Sequence, residues 1–308
     1  MPRTRDIAEV LLRVHHRTTY LYSQPVTLGP HRLMLRPRET VYNRLLSFSV
    51  ETTPPSLVHW SEDVHGNMVA VATPLWPSDI LVIDSHLRLD HHQIEGEPTL
   101  HVAPAASQYP FTYSAADQHG LGDLAHPHYA DPEAALPTWI QAYVAALPTP
   151  TVAMLCDINT GIAGWFFYQS RETLGTQTPL ETLQRGWGCC RDIALLFVEA
   201  VRWLGLGARL VSGYLYNPLR DGLDDVAFAT GATHCWAEVY LPGAGWVAFD
   251  PTHGTMGGFG LVAVATARDI QDLAPVCGSF TGPGHTYIGM TVGVAVSSGN
   301  QGAAAIPP

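Results

Sequence analysis

The chain has 308 residues and a formal net charge of −11, with 46% hydrophobic and 14% charged residues. This length accommodates two domains, or one large domain with a sizeable core, and the hydrophobic content is ordinary for a globular protein. The acidic balance and the lack of any run of Lys and Arg argue against a general affinity for nucleic acid or anionic membranes.

The sequence also carries no recognisable export or membrane signal. The first sixteen residues contain only a short apolar patch and no small-residue cleavage site, so they do not predict a signal peptide. No stretch reaches the ~18 apolar residues of a membrane span. Five cysteines, an odd number, do not indicate a disulfide framework. We therefore expect a reducing compartment, the cytoplasm, and no membrane partner.

Residues 1–100 predict an N-terminal β-rich domain, an antiparallel structure resembling a β-sandwich, because short alternating runs are separated by Pro and Gly. The alternating positions are Leu12, Val14, His16, Thr18 and Tyr20, then Leu46, Phe48 and Val50, then Met68, Ala70 and Ala72. Residues 101–150 predict a connector that becomes helical after Asp131. Residues 151–296 predict a second domain that ends in further strands, and the small, polar tail over 297–308 predicts disorder.

Two consecutive helices are predicted around residue 190. Thr178, followed by Pro179 and Glu181, has the pattern of a helix cap, and Gly186 ends that short helix. The second helix begins at Cys190 and runs to Leu204, since its apolar residues recur at helical spacing. Cys190 is therefore predicted to lie at a helix N-terminus. Free backbone N–H groups and the helix dipole favour a thiolate there, and the same N–H groups can bind an oxyanion.

A β-hairpin is predicted downstream, from His234 to Asp250, with turn residues at 242–245. Side chains on a strand alternate between faces, so a two- or four-residue loop would place His234 and Asp250 on opposite faces. A three- or five-residue loop places them on one face. Pairing Leu241 with Gly245 makes Asp250 the diagonal neighbour of His234. The imidazole N–H can then donate a hydrogen bond to the carboxylate. We predict that register.

These segments, GWGCCRDIALLFVEAVRWLGLGARLVSGYL and THCWAEVYLPGAGWVAFDPTHG, closely resemble the core of the bacterial transglutaminase-like superfamily. Members of that superfamily are also described as candidate cysteine proteases. Upstream, HRTTY at 16–20, LRPR at 35–38 and DVHGN at 63–67 resemble the N-terminal domain that accompanies this core in bacteria. The resemblance covers most of the chain.

The resemblance implies an α+β fold with a papain-like core, in which the helix that carries the cysteine packs on an antiparallel sheet. It implies Cys190 as nucleophile, His234 as general base and then acid, and Asp250 as the residue that orients the imidazole. It also implies that strands near residues 262–265 and 287–296 complete the sheet around the site.

Three positions depart from the pattern of the resembling family. Cys189 stands before the predicted nucleophile where many relatives have a small or apolar residue. Cys235 follows the histidine where Ala is common, and Leu195 stands where His or Trp is frequent. The extra thiols raise the alternative of a redox-sensitive site. A zinc site of Cys189, Cys190, His234 and Cys235 is a second alternative, although the spacing is not that of paired zinc ligands.

Other residues near the motifs are weaker candidates. Trp165 and Trp187 are predicted either to line an acyl tunnel or assist an oxyanion, or to pack in the core. Asp192, in the first turn of the helix, and Glu238 and Tyr240, which share the face of His234 by parity, are candidates for supporting contacts. For Asp192 a local ion pair with Arg191 is the simpler interpretation, and for Glu238 and Tyr240 a strand edge.

The predicted reaction is acyl transfer through a thioester, from a protein or peptide that carries a carboxamide or amide. An amine acceptor gives transamidation and water gives hydrolysis, so a transglutaminase-like enzyme and a cysteine peptidase or amidase share the first half-reaction. A catalytically silent binding module is the third interpretation. No acidic loop with calcium-ligand spacing occurs, and we expect no cofactor or metal requirement. The oligomeric state is left open.

Overall fold

The structure is a computed structural model that describes residues 7–94, 100–171, 175–216, 233–258 and 260–299. It contains two large antiparallel sheets, two short two-stranded sheets and five α-helices in these ranges. The predicted α+β class, with the helix that carries Cys190 packed on an antiparallel sheet, is confirmed. Among the described residues, no helix combines the length and apolarity needed to cross a membrane.

The N-terminal region is built around one long strand. The strands are β1 (Ile7–Leu33), β2 (Asn43–Thr53), β3 (Ser56–Glu62), β4 (Met68–Pro74) and β5 (Ser78–Ile94). The first part of β1 pairs with β5 and its last residues pair with β4, with register shifts between the two parts. A separate apolar cluster, which includes Tyr22, Leu33 and Ile83, fills the space between these two parts of the sheet. The sandwich-like character predicted from the alternation follows from this arrangement.

Short elements connect the two regions. They are β6 (Gln108–Tyr109), α1 (Ala115–Leu121), α2 (Ala135–Gln141) and β7 (Thr149–Pro150), with short 3₁₀ turns at Pro104–Ala106 and Gly122–Ala125. β6 pairs with β7, so the connector forms a small ribbon of its own.

The second region contains the helices and the central sheet. Its helical part consists of α3 (Thr151–Trp165), β8 (Phe167–Tyr168), α4 (Pro179–Arg185), β9 (Trp187–Gly188) and α5 (Cys190–Trp203). Its sheet consists of β10 (Ala208–Leu215), β11 (His234–Leu241), β12 (Gly245–Asp250), β13 (Thr255–Met256) and β14 (Leu261–Ala267), in the order β13-β12-β11-β10-β14. Nearly every side chain of α5 is buried, and its apolar residues pack against β10 and β11. Each fully buried Leu, Val or Phe contributes about 1.5–3 kcal/mol.

The last two strands, β15 (Val276–Thr281) and β16 (Tyr287–Ser298), return to the N-terminal sheet. β16 pairs with β1 over eleven positions, from Leu12 opposite Ser298 to Tyr22 opposite Tyr287. The expectation that residues 287–296 complete the sheet around the site is therefore wrong, while residues 262–265 do join that sheet as part of β14. β16 satisfies the hydrogen-bonding edge of β1, which would otherwise be open. Ser297 and Ser298, predicted to be disordered, belong to β16, and residues 300–308 lie outside the described ranges.

Buried polar contacts join the two regions. Asn43 donates to the carbonyl of Leu261 and accepts from Nδ1 of His91, whose Nε2 accepts the N–H of Gly260. Asn67 donates to the carbonyl of Thr266 and accepts from its N–H. Buried polar groups must be paired, so these contacts fix how the N-terminal sheet lies on the sheet that carries the site.

Candidate active site

Cys190 occupies the first position of α5, as predicted, and is only 8% exposed. The preceding helix α4 has the predicted capping box of Thr178 and Glu181, and Gly186 ends it in a left-handed conformation with φ of 70°. Gly188 then passes close to the new helix, because a Cβ built there would lie 2.8 Å from Cβ of Asp192. A glycine at 188 is thus required for the chain to enter α5 at this angle.

Asp192 holds that entry in place. Its side chain is fully buried; Oδ2 accepts the N–H of Cys189 at 2.9 Å, and Oδ1 accepts the N–H of Gln177 at 2.7 Å and Nη2 of Arg171 at 2.9 Å. The ion pair is therefore made with Arg171, and not with Arg191 as the simpler interpretation proposed. The carboxylate connects three segments directly behind the cysteine, and so fixes the position of the helix start.

The hairpin has the predicted register. Leu241 lies opposite Gly245 and Ala237 opposite Phe249, with a three-residue loop between the strands. Nε2 of His234 lies 2.7 Å from Oδ2 of Asp250, and the side chains are 8% and 2% exposed. A short charge-assisted hydrogen bond in a buried setting orients the imidazole firmly.

Cys190 lies against the imidazole of His234. The thiol is close enough to the ring to help raise the pKa of His234, and its Sγ also lies 4.0 Å from the carbonyl oxygen of Thr233. Because Nε2 is held by Asp250, Nδ1 is the ring nitrogen that remains for the sulfur. The structure thus brings together all three residues predicted as catalytic.

The electrostatics of the three residues favour an imidazolium. Burial by itself lowers the pKa of His234, but hydrogen bonds to Asp250 and Cys190, and the charges of both, outweigh it and raise that pKa to about 10. Burial likewise raises the pKa of Asp250, but hydrogen bonds from His234 and His253 hold it well below its usual range. Such a buried acid stays ionised and stabilises positive charge on the ring.

His253 is a neighbour that the sequence reasoning missed. Its Nδ1 lies 2.8 Å from Oδ2 of Asp250, the oxygen that also binds His234, and its side chain is 48% exposed. The N–H of Thr252 donates to the other oxygen, Oδ1, at 3.0 Å. The signal was present in the sequence, since an Asp at the start of a turn commonly binds groups two and three residues later.

The two other cysteines near the site are buried. Burial raises the pKa of the Cys189 thiol, and that of Cys235 is raised well above its usual value by burial and by the neighbouring Cys190. In the described ranges, the groups of three or more close potential metal ligands are His15, Asp84 and His86, and His234, Asp250 and His253. The predicted alternative of a zinc site built from Cys189, Cys190, His234 and Cys235 is therefore not supported.

The two tryptophans predicted near the site differ in exposure. Trp165, at the end of α3, is 80% exposed, so the core-packing interpretation is wrong for it. Trp187 is partly buried, with the guanidinium of Arg185 5.6 Å from its ring. Tyr168, on the short strand paired with Trp187 and Gly188, has its pKa raised by burial and by the charges of Cys190 and Cys189, which places its phenol near the thiols.

Glu238 and Tyr240 do not support the histidine. Glu238 forms an ion pair with Arg209, with Nε of Arg209 2.7 Å from Oε2, and the hydroxyl of Tyr240 donates to Asp117 of the connector at 2.9 Å. Parity placed them correctly on the face of His234, but four and six residues along a strand correspond to about 13 and 20 Å. The expectation of supporting contacts is wrong for both residues.

Similarity to known proteins fits this geometry. The bacterial transglutaminase-like N-terminal region matches residues 12–90, and the transglutaminase-like superfamily matches residues 139–251. An uncharacterized protein of Mycobacterium tuberculosis is 31% identical over 301 residues, which cover 94% of this chain and 93% of the relative. The chain belongs to the transglutaminase-like superfamily. Cys190, His234 and Asp250 all fall inside the segment that matches the superfamily core.

Two further proteins are similar to this chain. An uncharacterized protein of Mycobacterium leprae is 25% identical over 287 residues, covering 91% of this chain and 97% of the relative. A crystal structure from Cytophaga hutchinsonii, named as a putative cysteine protease, superposes with a TM-score of 0.69 at 18% identity and covers 96% of this chain and 93% of its own. At that identity the likeness shows that the two chains share a fold across both regions.

Proposed function

We propose that this protein transfers acyl groups from carboxamide or peptide carbonyls through a thioester on Cys190. The observation that carries the proposal is the buried contact of 2.7 Å between His234 and Asp250, with Cys190 beside the same imidazole at the start of α5 and contributing to its raised pKa. A nucleophile, a base and an orienting carboxylate in mutual contact constitute the recurrent geometry of thiol acyl transfer.

The first half-reaction uses each residue once. The Cys190 thiolate attacks the carbonyl carbon, and N–H groups in the first turn of α5 donate hydrogen bonds to the negatively charged oxygen. Protonated His234 then donates its proton to the departing amine, which leaves the thioester and a neutral imidazole. Asp250, held ionised by its two histidine partners, stabilises the imidazolium before the transfer.

The second half-reaction returns the enzyme to its starting state. Neutral His234 removes a proton from an incoming amine or water, which attacks the thioester and releases Cys190 as thiolate. An amine gives transamidation, and water gives the hydrolysis of a cysteine peptidase or amidase. The two outcomes differ only in the acceptor, so both belong to the proposal.

A silent binding module is the competing function. Such a protein needs the fold but not the ordered contacts around Cys190, and loss of one catalytic residue would be neutral for it. The intact arrangement of Cys190, His234 and Asp250, with Asp192 fixing the helix entry, supports an enzyme instead.

The remaining sequence expectations are also part of the proposal. The substrate is a protein or peptide with a carboxamide or amide, acyl transfer needs no cofactor, and neither nucleic acid nor membrane takes part.

All five cysteines are free thiols, which is compatible with a reducing compartment, and the cytoplasm is the proposed location. Fractionation of the producing cell tests the location, and activity retained in a chelator tests the metal independence of catalysis.

The reaction is tested by following ammonia release from peptides that contain glutamine, and peptide cleavage, with and without a primary amine. The expected result is an acyl adduct on Cys190, found by mass spectrometry after rapid acid quenching. Cys190→Ala should abolish the adduct, and Cys277→Ala, which removes an exposed cysteine, is the matched control. Turnover without any adduct, or equal turnover in Cys190→Ala, contradicts the proposal.

A further inference from the structure

A second group of histidines and an aspartate lies on the N-terminal sheet. His15 of β1 and Asp84 and His86 of β5 each offer one ligand atom, and these atoms lie within 4.8 Å of one another. Nε2 of His15 is 2.5 Å from Oδ1 of Asp84, and Nε2 of His86 is 3.7 Å from the same oxygen. Two imidazole nitrogens thus lie close to one carboxylate oxygen, which makes three potential ligand atoms. None of the three residues belongs to the candidate active site.

The strand register creates this group. His15 lies directly opposite His86, and Arg17 opposite Asp84. Side chains alternate along a strand, so these four residues share the face opposite to that of Val14, which packs into the core. Asp84 and His86 are two residues apart, so both can reach a single point beside His15.

The flanking strands leave room at this point. On β16, Ala295 lies opposite His15 and Gly293 opposite Arg17, so only small residues stand on that side. On β2, Glu51 lies opposite Asp84 and is exposed. A directly opposite residue has its Cβ at about 5 Å, which places the Glu51 carboxylate within reach of the group as a fourth oxygen ligand.

Arg17 orients the carboxylate for binding at one oxygen only. Its Nε donates to Oδ2 of Asp84 at 2.9 Å, and its Nη2 donates to the same oxygen. Oδ1 is left facing the two imidazoles. Metal-ligating carboxylates are typically fixed by such an outer hydrogen bond, which determines which oxygen binds.

We propose that His15, Asp84 and His86 bind one divalent transition-metal ion, with zinc the best match, and that Glu51 or water completes the coordination. Two imidazole nitrogens and one carboxylate oxygen are ligands that zinc accepts. Tetrahedral zinc with bonds near 2.0–2.1 Å separates its ligand atoms by about 3.3 Å, and the two separations of 2.5 and 3.7 Å bracket that value. When the ion binds, the ring proton of His15 that faces Asp84 moves to Nδ1, and Nε2 becomes a ligand of the metal.

One rearrangement accompanies binding. The rings of His15 and His86 are stacked, with centroids 4.0 Å apart and planes at 19°, whereas a shared metal must lie in the plane of both rings. The side chain of His86 is 52% exposed and its contact with Asp84 is long, at 3.7 Å, so it can rotate toward the ion.

The test is a zinc titration of the full-length protein against a chromogenic chelator, in a His253→Ala background. The other group that could bind zinc is His234, Asp250 and His253, and the His253→Ala substitution removes its exposed member. The expected result is one zinc per chain, with affinity lowered at least about tenfold by His86→Ala. His59→Ala, which removes an exposed histidine of β3, is the matched control and should change nothing.

A further readout makes the outcome decisive. Cobalt(II) should give the intense visible bands of a four-coordinate site, which His86→Ala should lose. Because His86 is half-exposed, this variant should melt at the temperature of the parent in the absence of metal. Equal zinc affinity in His86→Ala and His59→Ala, or a cobalt spectrum of a six-coordinate ion, would overturn the proposal.

Discussion

Nδ1 of His253 lies 2.8 Å from Oδ2 of Asp250, on the oxygen that also binds the candidate base. The buried carboxylate therefore hydrogen-bonds to one imidazole inside the site and to one at its surface. His253 binds Asp250 from the exposed side, so its role in this arrangement is to position Asp250 and keep it ionised.

Replacing His253 by Ala should lower kcat/KM by about 2- to 10-fold, since the His253 side chain is half-exposed and its hydrogen bond is therefore worth about 0.5–1.5 kcal/mol. KM should stay unchanged because His253 positions a carboxylate and does not bind substrate. His253→Asn, which can still donate to Asp250, should recover most of the loss. A hundredfold loss in both variants would instead make His253 a direct participant.

Replacing Asp250 by Asn should lower the pKa of His234 from about 10 toward the ordinary value near 6.5. The sign follows from the lost carboxylate, which stabilises the imidazolium. Activity that needs a protonated His234 should persist in the parent until the pH approaches 10, but fall in the variant as pH rises through about 6.5. Imidazole NMR measures the shift directly, and kcat at pH 8 should fall at least about 100-fold. Identical titration curves would mean that Asp250 does not tune the base.

Acid should destabilise the protein before its carboxylates titrate. Burial lowers the pKa of His91 to about 4, and that of His16 likewise to about 4. Between pH 6.5 and 4 each of these histidines is protonated in the unfolded chain but neutral in the folded protein. The free energy of unfolding should therefore fall by about 1.4 kcal/mol per pH unit for each of them.

Urea titrations of the parent and of His91→Gln at several pH values between 7 and 4 check this slope. The variant should be less stable at pH 7, because Asn43 and Gly260 lose their partner, but its stability should decline less steeply toward acid. Parallel slopes for the two proteins would show that His91 is not the titrating group.

Replacing Asp192 by Ala should cost about 3–5 kcal/mol of stability, because Arg171 and two backbone N–H groups lose their shared buried acceptor. Chemical denaturation measures the loss. Glu181→Ala is a matched control on the neighbouring helix: its side chain is exposed and caps α4, so we expect about 0.5–2 kcal/mol. Similar losses in the two variants would contradict the role of Asp192 as the anchor of the helix start.

Local patterns predicted much of the candidate site, because the deciding interactions are close in sequence. The three-residue loop between Leu241 and Gly245 sets the parity of the hairpin, and that parity puts His234 beside Asp250. Gly186 and the cap at Thr178 likewise determine where the next helix can begin.

Contacts between distant segments could not be predicted in this way. Nothing near Tyr287 indicates that its strand pairs with β1, since the complementary edge lies more than 250 residues earlier. Parity fixed the face of Tyr240 but not its partner Asp117, which the connector supplies. The group of His15, Asp84 and His86 was missed for the same reason, because its spacing in sequence resembles no metal motif and only the register of β1 and β5 assembles it.

The central claim is that His234 activates Cys190, and the alkylation rate of Cys190 by a small thiol reagent, measured against pH, tests it most directly. Labelled residues are identified by mass spectrometry in the parent, in His234→Ala and in the control Cys277→Ala. The account predicts fast labelling of Cys190 below pH 7 that is lost in His234→Ala and kept in the control. Slow labelling of Cys190, or labelling that is equally fast without His234, would contradict it.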